Sequence, residues 1–467
     1  MEPLPLTAAD VAASARGRVV HGDPAAPVGR IVIDSRTLEP GDCFVAIQGE
    51  RFDGHDFVAD VLARGARGVV VARDLTAGLP AHDAVVIRVD DTTHALQDVA
   101  RDVRRRSGAR VVAITGSAGK TTTKEVAAEF LASRYRVFRN KGNLNNHIGL
   151  PLSLLELRAR PEIAVVELGM NHPGEIRTLV GIAEPDVRVW TNVGDAHLGF
   201  FESADAIADA KAEILEGADA DDVLVANAND TRIMRRAEWF LGRVVTFGIE
   251  TPADVSAAHV QHRGLLGTSA ELKTPSGDAT LVTPLLGLGN LSNVLAATAV
   301  AIQFDVPVSE IVETAARLRP ATHRGELLRL PGGITLIDDS YNSSPAALRQ
   351  ALETIAAAAG CARKVAVLGE MLELGAHADA LHRESGRVAA SAGLDLLIAV
   401  GGAPAAALAE GALAAGLPAD AVTRVATREE AADAALARVR PGDLVLVKGS
   451  RGIGTDLVVA RLKAEFA

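Results

Sequence analysis

Short, mostly apolar runs recur along this chain, separated by stretches in which apolar residues return every three or four positions. In the middle of the chain such runs fall at 111–114, 163–168, 187–193 and 223–226; in the last third they fall at 335–338, 364–368, 396–400 and 444–447. Runs of this length suit strands buried on both faces and are too short for independent helices. Helical patterns lie between most of them, for example 290–303 and 308–318. Alternation of this kind predicts mostly parallel sheets covered by helices. The first part of the chain has shorter strands, at 30–34, 43–47, 68–71 and 85–89, with helices at 56–64 and 93–106.

Two places read as boundaries. Arg104, Arg105 and Arg106 followed by Ser-Gly read as a helix end and a linker, and Pro320 closes the second helical stretch. The expectation is an α/β chain of three domains, 1–107, 108–319 and 320–467, since 467 residues exceed what one compact domain usually holds.

Composition narrows the function classes. No apolar run is long enough for a membrane-spanning helix, and the opening MEPLPLTAAD lacks the basic start and apolar core of a secretory signal. The only cysteines, Cys43 and Cys361, lie far apart, which argues against a disulfide framework and suits a cytoplasmic protein with two incidental core thiols. The formal net charge of −11 argues against nucleic acid as the main partner. An anionic ligand must then be held by local donors.

Such donors cluster after the strand at 111–114, in VVAITGSAGKTTTK. Gly116, Ser117, Ala118, Gly119, Lys120, Thr121 and Thr122 form a glycine-lined turn into a helix. Backbone N–H groups can wrap phosphate oxygens there, at the positive end of the helix dipole. Lys120 supplies a point charge for the phosphates, and the hydroxyl of Thr121 can ligate magnesium. The general phosphate-loop pattern places another glycine where Ile114 stands, so this is a shorter form.

Ligands in open α/β sheets bind at the carboxyl ends of strands, and two more strand ends carry candidate chemistry. Glu167 closes an apolar run, where an acid needs a cation: magnesium on one reading, a nearby arginine on the other. The loop Thr191-Asn192-Val193-Gly194-Asp195-Ala196-His197 follows the next run, with His197 a candidate ligand or a structural histidine. Lys211, in IADAKAEI, read alone is a solvated helix-face lysine.

Taken in order, these pieces resemble the Mur ligase family over essentially the whole chain. The resemblance implies an N-terminal nucleotide-sugar-binding α/β domain, a central phosphate-loop ATPase domain and a C-terminal Rossmann-like α/β domain. It implies magnesium, at one or two sites, held by Glu167, His197 and a carbamylated Lys211. Asn290 and Asn293 match the family's asparagines near the adenine, although Gly289 stands where relatives commonly have His. Arg324, in His323-Arg324-Gly325-Glu326, matches the arginine that reaches the ATP phosphates. In the loop DDSYNSSP, Asp339 is implied near the ribose or phosphates and Tyr341 near the adenosine. Catalysis would fall to Lys120, Lys211, His197, Glu167 and Arg324.

Three further stretches, KGNLNNHIGL with Asn143, Asn145 and Asn146, VLGEMLELG followed by His382, and LVKGSR, resemble one branch of the family. That branch uses ATP to join D-alanyl-D-alanine to UDP-N-acetylmuramoyl-tripeptide. Glu370 stands where that branch commonly has Asp, and Asp456 matches a later acid by charge only. The N-terminal Asp34-Ser35-Arg36 and the stretch from Gly49 through Asp53 to Phe57 resemble the family's nucleotide-sugar domain. Ser35 and Arg36 would approach the uridine diphosphate, with a surface Asp34–Arg36 pair as the alternative; Asn342 and Glu373 are expected near the dipeptide. A monomer without membrane or nucleic-acid partners is expected. Two rivals are a Mur-type ligase for a different amine and a nucleotide switch that only hydrolyses ATP.

Overall fold

The computed structural model describes residues 2–74, 83–194 and 198–466. It contains three sheets. Five strands pair in the order Arg18–His21, Val85–Arg88, Gly68–Val71, Cys43–Val45 and Ile31–Val32. The last four of these run parallel, and Arg18–His21 is an antiparallel edge.

Nine strands form the second sheet, in the order Ala279–Thr283, Thr268–Lys273, Val255–His262, Arg243–Ile249, Val223–Asn227, Val187–Trp190, Arg110–Thr115, Ile163–Glu167 and Val137–Arg139. The runs at 111–114, 163–168, 187–193 and 223–226 all became strands, with the third stopping at Trp190. The strands of the antiparallel end, Val255–His262, Thr268–Lys273 and Ala279–Thr283, have no unbroken apolar run to mark them. There burial alternates residue by residue, as in Thr268–Lys273, because one face is partly solvated.

Six strands form the third sheet, in the order Glu326–Leu330, Ile334–Asp339, Leu444–Lys448, Lys364–Gly369, Leu396–Val400 and Val422–Val425. All but the first pair are parallel. Alternate residues of these strands feed two cores. Leu336, Val365, Val367, Ile398 and Val445 pack with Ala431, Val458 and Leu462. Ile337, Ala366, Leu368, Leu397 and Leu446 pack with Leu352, Ala389 and Leu408. Helices therefore cover both faces, the doubly wound arrangement expected of a Rossmann-like sheet.

By backbone contact the chain divides into two compact units. One is Met1–Ala113, Tyr135–Met170 and Gly174–Val187; the other is Ile114–Arg134, Asn171–Pro173 and Arg188–Ala467. Within the first unit, the linker expected after Arg106 is not a linker. The helix Thr92–Ser107 ends on a left-handed Gly108 and the next strand starts at Arg110. Its arginines are structural: Arg104 Nε donates to the Ala183 carbonyl at 2.9 Å and Arg104 Nη2 to Asp186 at 3.0 Å, while Arg105 pairs with Glu184. Among the described residues no helix is long and apolar enough to cross a membrane.

Candidate active site

The strand Arg110–Thr115 is buried from Val111 to Thr115 and delivers the chain into Gly116. The helix Lys120–Leu131 starts directly after Gly119, whose φ of 80° is open to glycine without strain. A Cβ on Gly119 would collide with the side-chain oxygen of Asn293, and one on Gly116 would collide with the hydroxyl of Thr191. Both glycines are therefore required by close approach as well as by backbone shape.

Neighbouring loops of the same unit hold this turn. Ala118 N–H donates to Asn192 Oδ1 at 2.9 Å, and Asn192 Nδ2 returns a bond to the Ala118 carbonyl at 3.0 Å. Thr191 Oγ1 donates to the same carbonyl at 2.8 Å. Ser117 and Gly194 exchange bonds of 2.9 and 3.2 Å. Asn227 Nδ2 fixes the Thr191 carbonyl at 2.7 Å. Lys120 Nζ lies 2.8 Å from the Gly116 carbonyl, curled over the loop. Thr121 is buried in the first turn of the helix and Thr122 is half-buried.

Asn293 is buried on the helix Gly287–Ile302, where its Oδ1 accepts from Thr123 Oγ1 at 3.3 Å and its Nδ2 reaches Asn290 Oδ1 at 3.4 Å. Asn290 in turn donates to the Leu286 carbonyl. The structure thus brings Asn293 to the phosphate-loop helix. Lys211 sits in the last turn of the helix Ala204–Ala212 and is only 1% exposed, so the solvated-face reading is wrong. His197 lies outside the described residues.

In the other unit, Glu167 ends its strand with 4% exposure. Its Oε1 accepts from Asn145 Nδ2 at 2.8 Å, and its N–H donates to Asn140 Oδ1 at 3.1 Å. Asn146 Oδ1 accepts from Ile148 N–H and Gly149 N–H, at the start of the helix Gly149–Leu154. Of the three asparagines in KGNLNN, Asn145 therefore reaches the candidate metal carboxylate, Asn146 anchors a helix start, and Asn143 is exposed. Among the described residues no three His, Cys, Asp or Glu side chains form a ready metal cluster.

Ser35 begins a short turn whose Asp34 and Arg36 pair at 2.7 Å, with the guanidinium otherwise exposed. Hydrogen bonding from Arg36 holds the Asp34 carboxyl down at about 2. The Asp34–Arg36 surface pair is therefore formed, with the guanidinium left mostly exposed.

In the six-stranded sheet the loops at the carboxyl ends converge. The Arg324 guanidinium stacks 4.0 Å from the Tyr341 ring centre, with Arg451 at 5.6 Å. His323 Nδ1 lies 2.6 Å from Asp338 Oδ2. Lys448 Nζ, 3% exposed, donates to Asp339 Oδ2 at 2.6 Å and to the Asn342 carbonyl at 3.0 Å. Desolvation pushes the Asp339 carboxyl up, while Lys448 and Arg324 pull against it.

The loop containing Glu370 is pinned by His382, which is fully buried. Its Nε2 accepts from Met371 N–H at 2.9 Å, and its Nδ1 faces the Ala378 carbonyl at 2.7 Å. That pattern requires the neutral ring protonated on Nδ1, and burial pushes the imidazole below its usual range. Leu372 N–H reaches Ser450 Oγ at 2.9 Å, and Gly199 N–H reaches the Glu373 carbonyl at 2.7 Å. Asp456 stands 3.7 Å from Arg451.

Thr191, Asn192, Asn140 and Lys448, to which the sequence alone assigns no role, each hold a loop or a carboxylate. Thr191, Asn192 and Lys448 are polar residues at or just beyond the end of an apolar run, the position that also marks Glu167 and Asp339, whereas Asn140 follows no such run.

Comparison with known proteins gives three family matches: "Mur ligase family, catalytic domain" over residues 27–104, "Mur ligase middle domain" over 114–301, and "Mur ligase, glutamate ligase domain" over 323–451. The chain is 35% identical to the UDP-N-acetylmuramoyl-tripeptide–D-alanyl-D-alanine ligase of Bacillus subtilis (strain 168), over 95% of this chain and 93% of that protein. To the Escherichia coli (strain K12) enzyme of the same name it is 36% identical, over 79% and 81%. Among solved structures, MurF from Acinetobacter baumannii superposes with a TM-score of 0.90 at 32% identity, covering 99% of this chain and 100% of that one. MurF ligase from Thermotoga maritima in complex with ADP gives 0.82 at 29%, over 94% and 97%.

Proposed function

The chain belongs to the Mur ligase family, and from that premise we propose that it uses ATP to join D-alanyl-D-alanine to UDP-N-acetylmuramoyl-tripeptide in peptidoglycan synthesis. The observation that carries this is the coincidence of near full-length similarity to enzymes of that name with a preformed phosphate loop.

The glycine-lined turn binds the ATP phosphates through backbone N–H groups and the start of the helix Lys120–Leu131. Lys120 exchanges the Gly116 carbonyl for a phosphate oxygen. Arg324, with Tyr341 beneath it, adds charge from the third domain. The terminal carboxylate of the tripeptide attacks the γ-phosphorus; the carboxyl O–P bond forms, the bond to the β-phosphate oxygen breaks, and ADP leaves. The dipeptide amine then attacks the acyl phosphate. The amide C–N bond forms, the C–O bond to phosphate breaks, and the amine proton is released. The first step needs positioning and charge neutralisation more than covalent help. Exclusion of water protects the acyl phosphate.

The residues assigned to magnesium fit that ion by donor chemistry. Glu167 and Thr121 would offer the hard oxygens that this ion takes. Magnesium would supply charge neutralisation of the phosphates. By the family resemblance Lys211 would join this set as a carbamate, which would turn a buried ammonium into an oxygen anion, and His197 would add a ring nitrogen. Asn293 keeps the phosphate loop shaped, with Asn290 beside it towards the adenine. Asn143, Asn145 and Asn146 line the tripeptide end, Ser35 and Arg36 the uridine diphosphate, and Asn342 the dipeptide. Asp339 orients the nucleotide through Lys448. The domains are 1–107, 108–319 and 320–467, and the enzyme works in the cytoplasm as a monomer.

The test is mass analysis of the products from ATP, UDP-N-acetylmuramoyl-tripeptide and D-alanyl-D-alanine. A UDP-linked pentapeptide with equal amounts of ADP and phosphate is expected. ADP and phosphate without a new amide would point to the nucleotide switch, and an amide formed only with another amine would point to a different ligase branch.

A further inference from the structure

Amide formation strips a proton from the attacking nitrogen, and a base held close by speeds that step. The third domain holds an imidazole set on a buried carboxylate. His323 Nδ1 lies 2.6 Å from Asp338 Oδ2. The Asp338 side chain is 2% exposed, near the end of the strand Ile334–Asp339. Its other oxygen accepts from Ser340 Oγ at 2.6 Å and from Ser340 N–H at 3.2 Å. Asp338 is thus fixed from one side and presents its second oxygen to the ring. A carboxylate on Nδ1 keeps the proton of the neutral ring there and leaves Nε2 as the acceptor.

The backbone around the pair is held as well. The His323 carbonyl accepts from Tyr341 N–H at 3.1 Å, and the Asp338 carbonyl accepts from Gly325 N–H at 2.9 Å. At φ 61° His323 sits in the left-handed region, where a residue with a side chain is strained. Such strain persists only where the surroundings hold it, and it gathers at sites that work. The ring keeps 32% exposure, so a substrate can reach it.

Its neighbours define the place. Arg324 follows directly and stacks on Tyr341, with Arg451 on the same ring. Lys448 bonds to Asp339 and to the Asn342 carbonyl. The charged groups of these loops are therefore Asp338, Asp339, Arg324, Arg451 and Lys448, and Asp338 is the one bonded to the imidazole. His323 stands between the arginine expected at the phosphates and the loop expected at the dipeptide, and an acyl phosphate meets an amine between those two.

We propose that His323 is the proton acceptor for the attacking amine, with Asp338 as its positioning residue. The amine nitrogen attacks the acyl carbon, the C–N bond forms, and His323 Nε2 takes the proton from that nitrogen. The C–O bond to phosphate then breaks, phosphate leaves with the electron pair, and the imidazolium returns its proton to solvent. Asp338 keeps the tautomer and stabilises the imidazolium while it lasts. This rests on the ligase reading for the reaction.

The test uses the full chain with ATP and UDP-N-acetylmuramoyl-tripeptide, and offers either D-alanyl-D-alanine or hydroxylamine. Hydroxylamine captures an acyl phosphate as a hydroxamate without help from a base, so it reports the first step alone. H323G removes the ring and leaves a residue suited to φ 61°. It is expected to lower kcat with the dipeptide by about 100-fold or more. Its KM for ATP and its hydroxamate formation should stay close to wild type, and added imidazole should restore part of the loss. The wild-type advantage should shrink as pH falls, because a protonated ring accepts nothing. D338N should also lose rate with the dipeptide, and H323G/D338N should be no worse than H323G, since Asp338 acts through the ring.

The assignment is overturned if H323G makes pentapeptide at the wild-type rate. It is equally overturned if hydroxamate and pentapeptide fall together, which is the mark of a structural pair. If wild type joins a different amine and the H323G loss follows that amine, the proton acceptor stands and the dipeptide reading falls.

Discussion

Replacing Gly119 by alanine should damage nucleotide binding through a collision that can be located to one atom. Gly119 has φ 80°, and a Cβ there meets the side-chain oxygen of Asn293. A non-glycine residue in that region costs about 1–2 kcal/mol. Displacing Asn293 also loosens its 3.3 Å bond from Thr123, a loss of about 0.5–1.5 kcal/mol. The sum, roughly 1.5–3.5 kcal/mol, corresponds to about 10- to 400-fold weaker ADP binding if the apo loop relaxes to avoid the clash. Calorimetry with ADP reads the loss, and a thermal melt without nucleotide shows whether any of it appears as lost stability instead. The decisive variant is G119A/N293A. Truncating Asn293 removes a loop support in wild type but removes the obstacle in G119A. N293A should therefore weaken ADP binding when alone and improve it in the G119A background. If N293A makes G119A worse, or if G119A shows wild-type affinity and wild-type stability, the packing argument for this loop is wrong.

Burial lowers the His382 imidazole, so the folded protein keeps the ring neutral while the unfolded chain protonates it below its ordinary range. Its contribution is complete above about pH 6.5 and is lost as pH falls. H382Q should lower the urea midpoint at pH 7.5, from a loss of about 1–3 kcal/mol, and the gap to wild type should narrow towards pH 5; a constant gap would refute the neutral pin. Cys43 is fully buried and its thiol is pushed up to about 12, whereas Cys361 is only partly buried. A maleimide should label Cys361 alone in the native protein, as peptide mapping would show, and Cys43 only after unfolding. K211A should lower ligase activity by about 10- to 100-fold and recover in part with added acetate; recovery with no carboxylate dependence would count against a carbamate.

Legibility followed how each residue acts. Strands buried on both faces, such as Arg110–Thr115 and Leu396–Val400, announce themselves as unbroken apolar runs, whereas Thr268–Lys273 alternates and was missed. The phosphate loop was readable because glycines, lysine and threonine act within six consecutive positions (116–121), so local order carries the chemistry. Asn192 and Asn293 could not be assigned to that loop in the same way. They meet it from 74 and 170 residues away, at Ala118 and Thr123, a proximity created by strand order and helix packing. Lys211 is the converse case: its local sequence alone looks solvated, the family resemblance points the other way, and the surrounding fold buries it. Arg36 shows a third case, since its three-residue neighbourhood allowed both a ligand contact and a pair with Asp34. The pair leaves the guanidinium mostly exposed, so a phosphate can still share it. Forming that pair is therefore not an argument against substrate contact; it fixes the orientation in which an arriving anion would find the arginine.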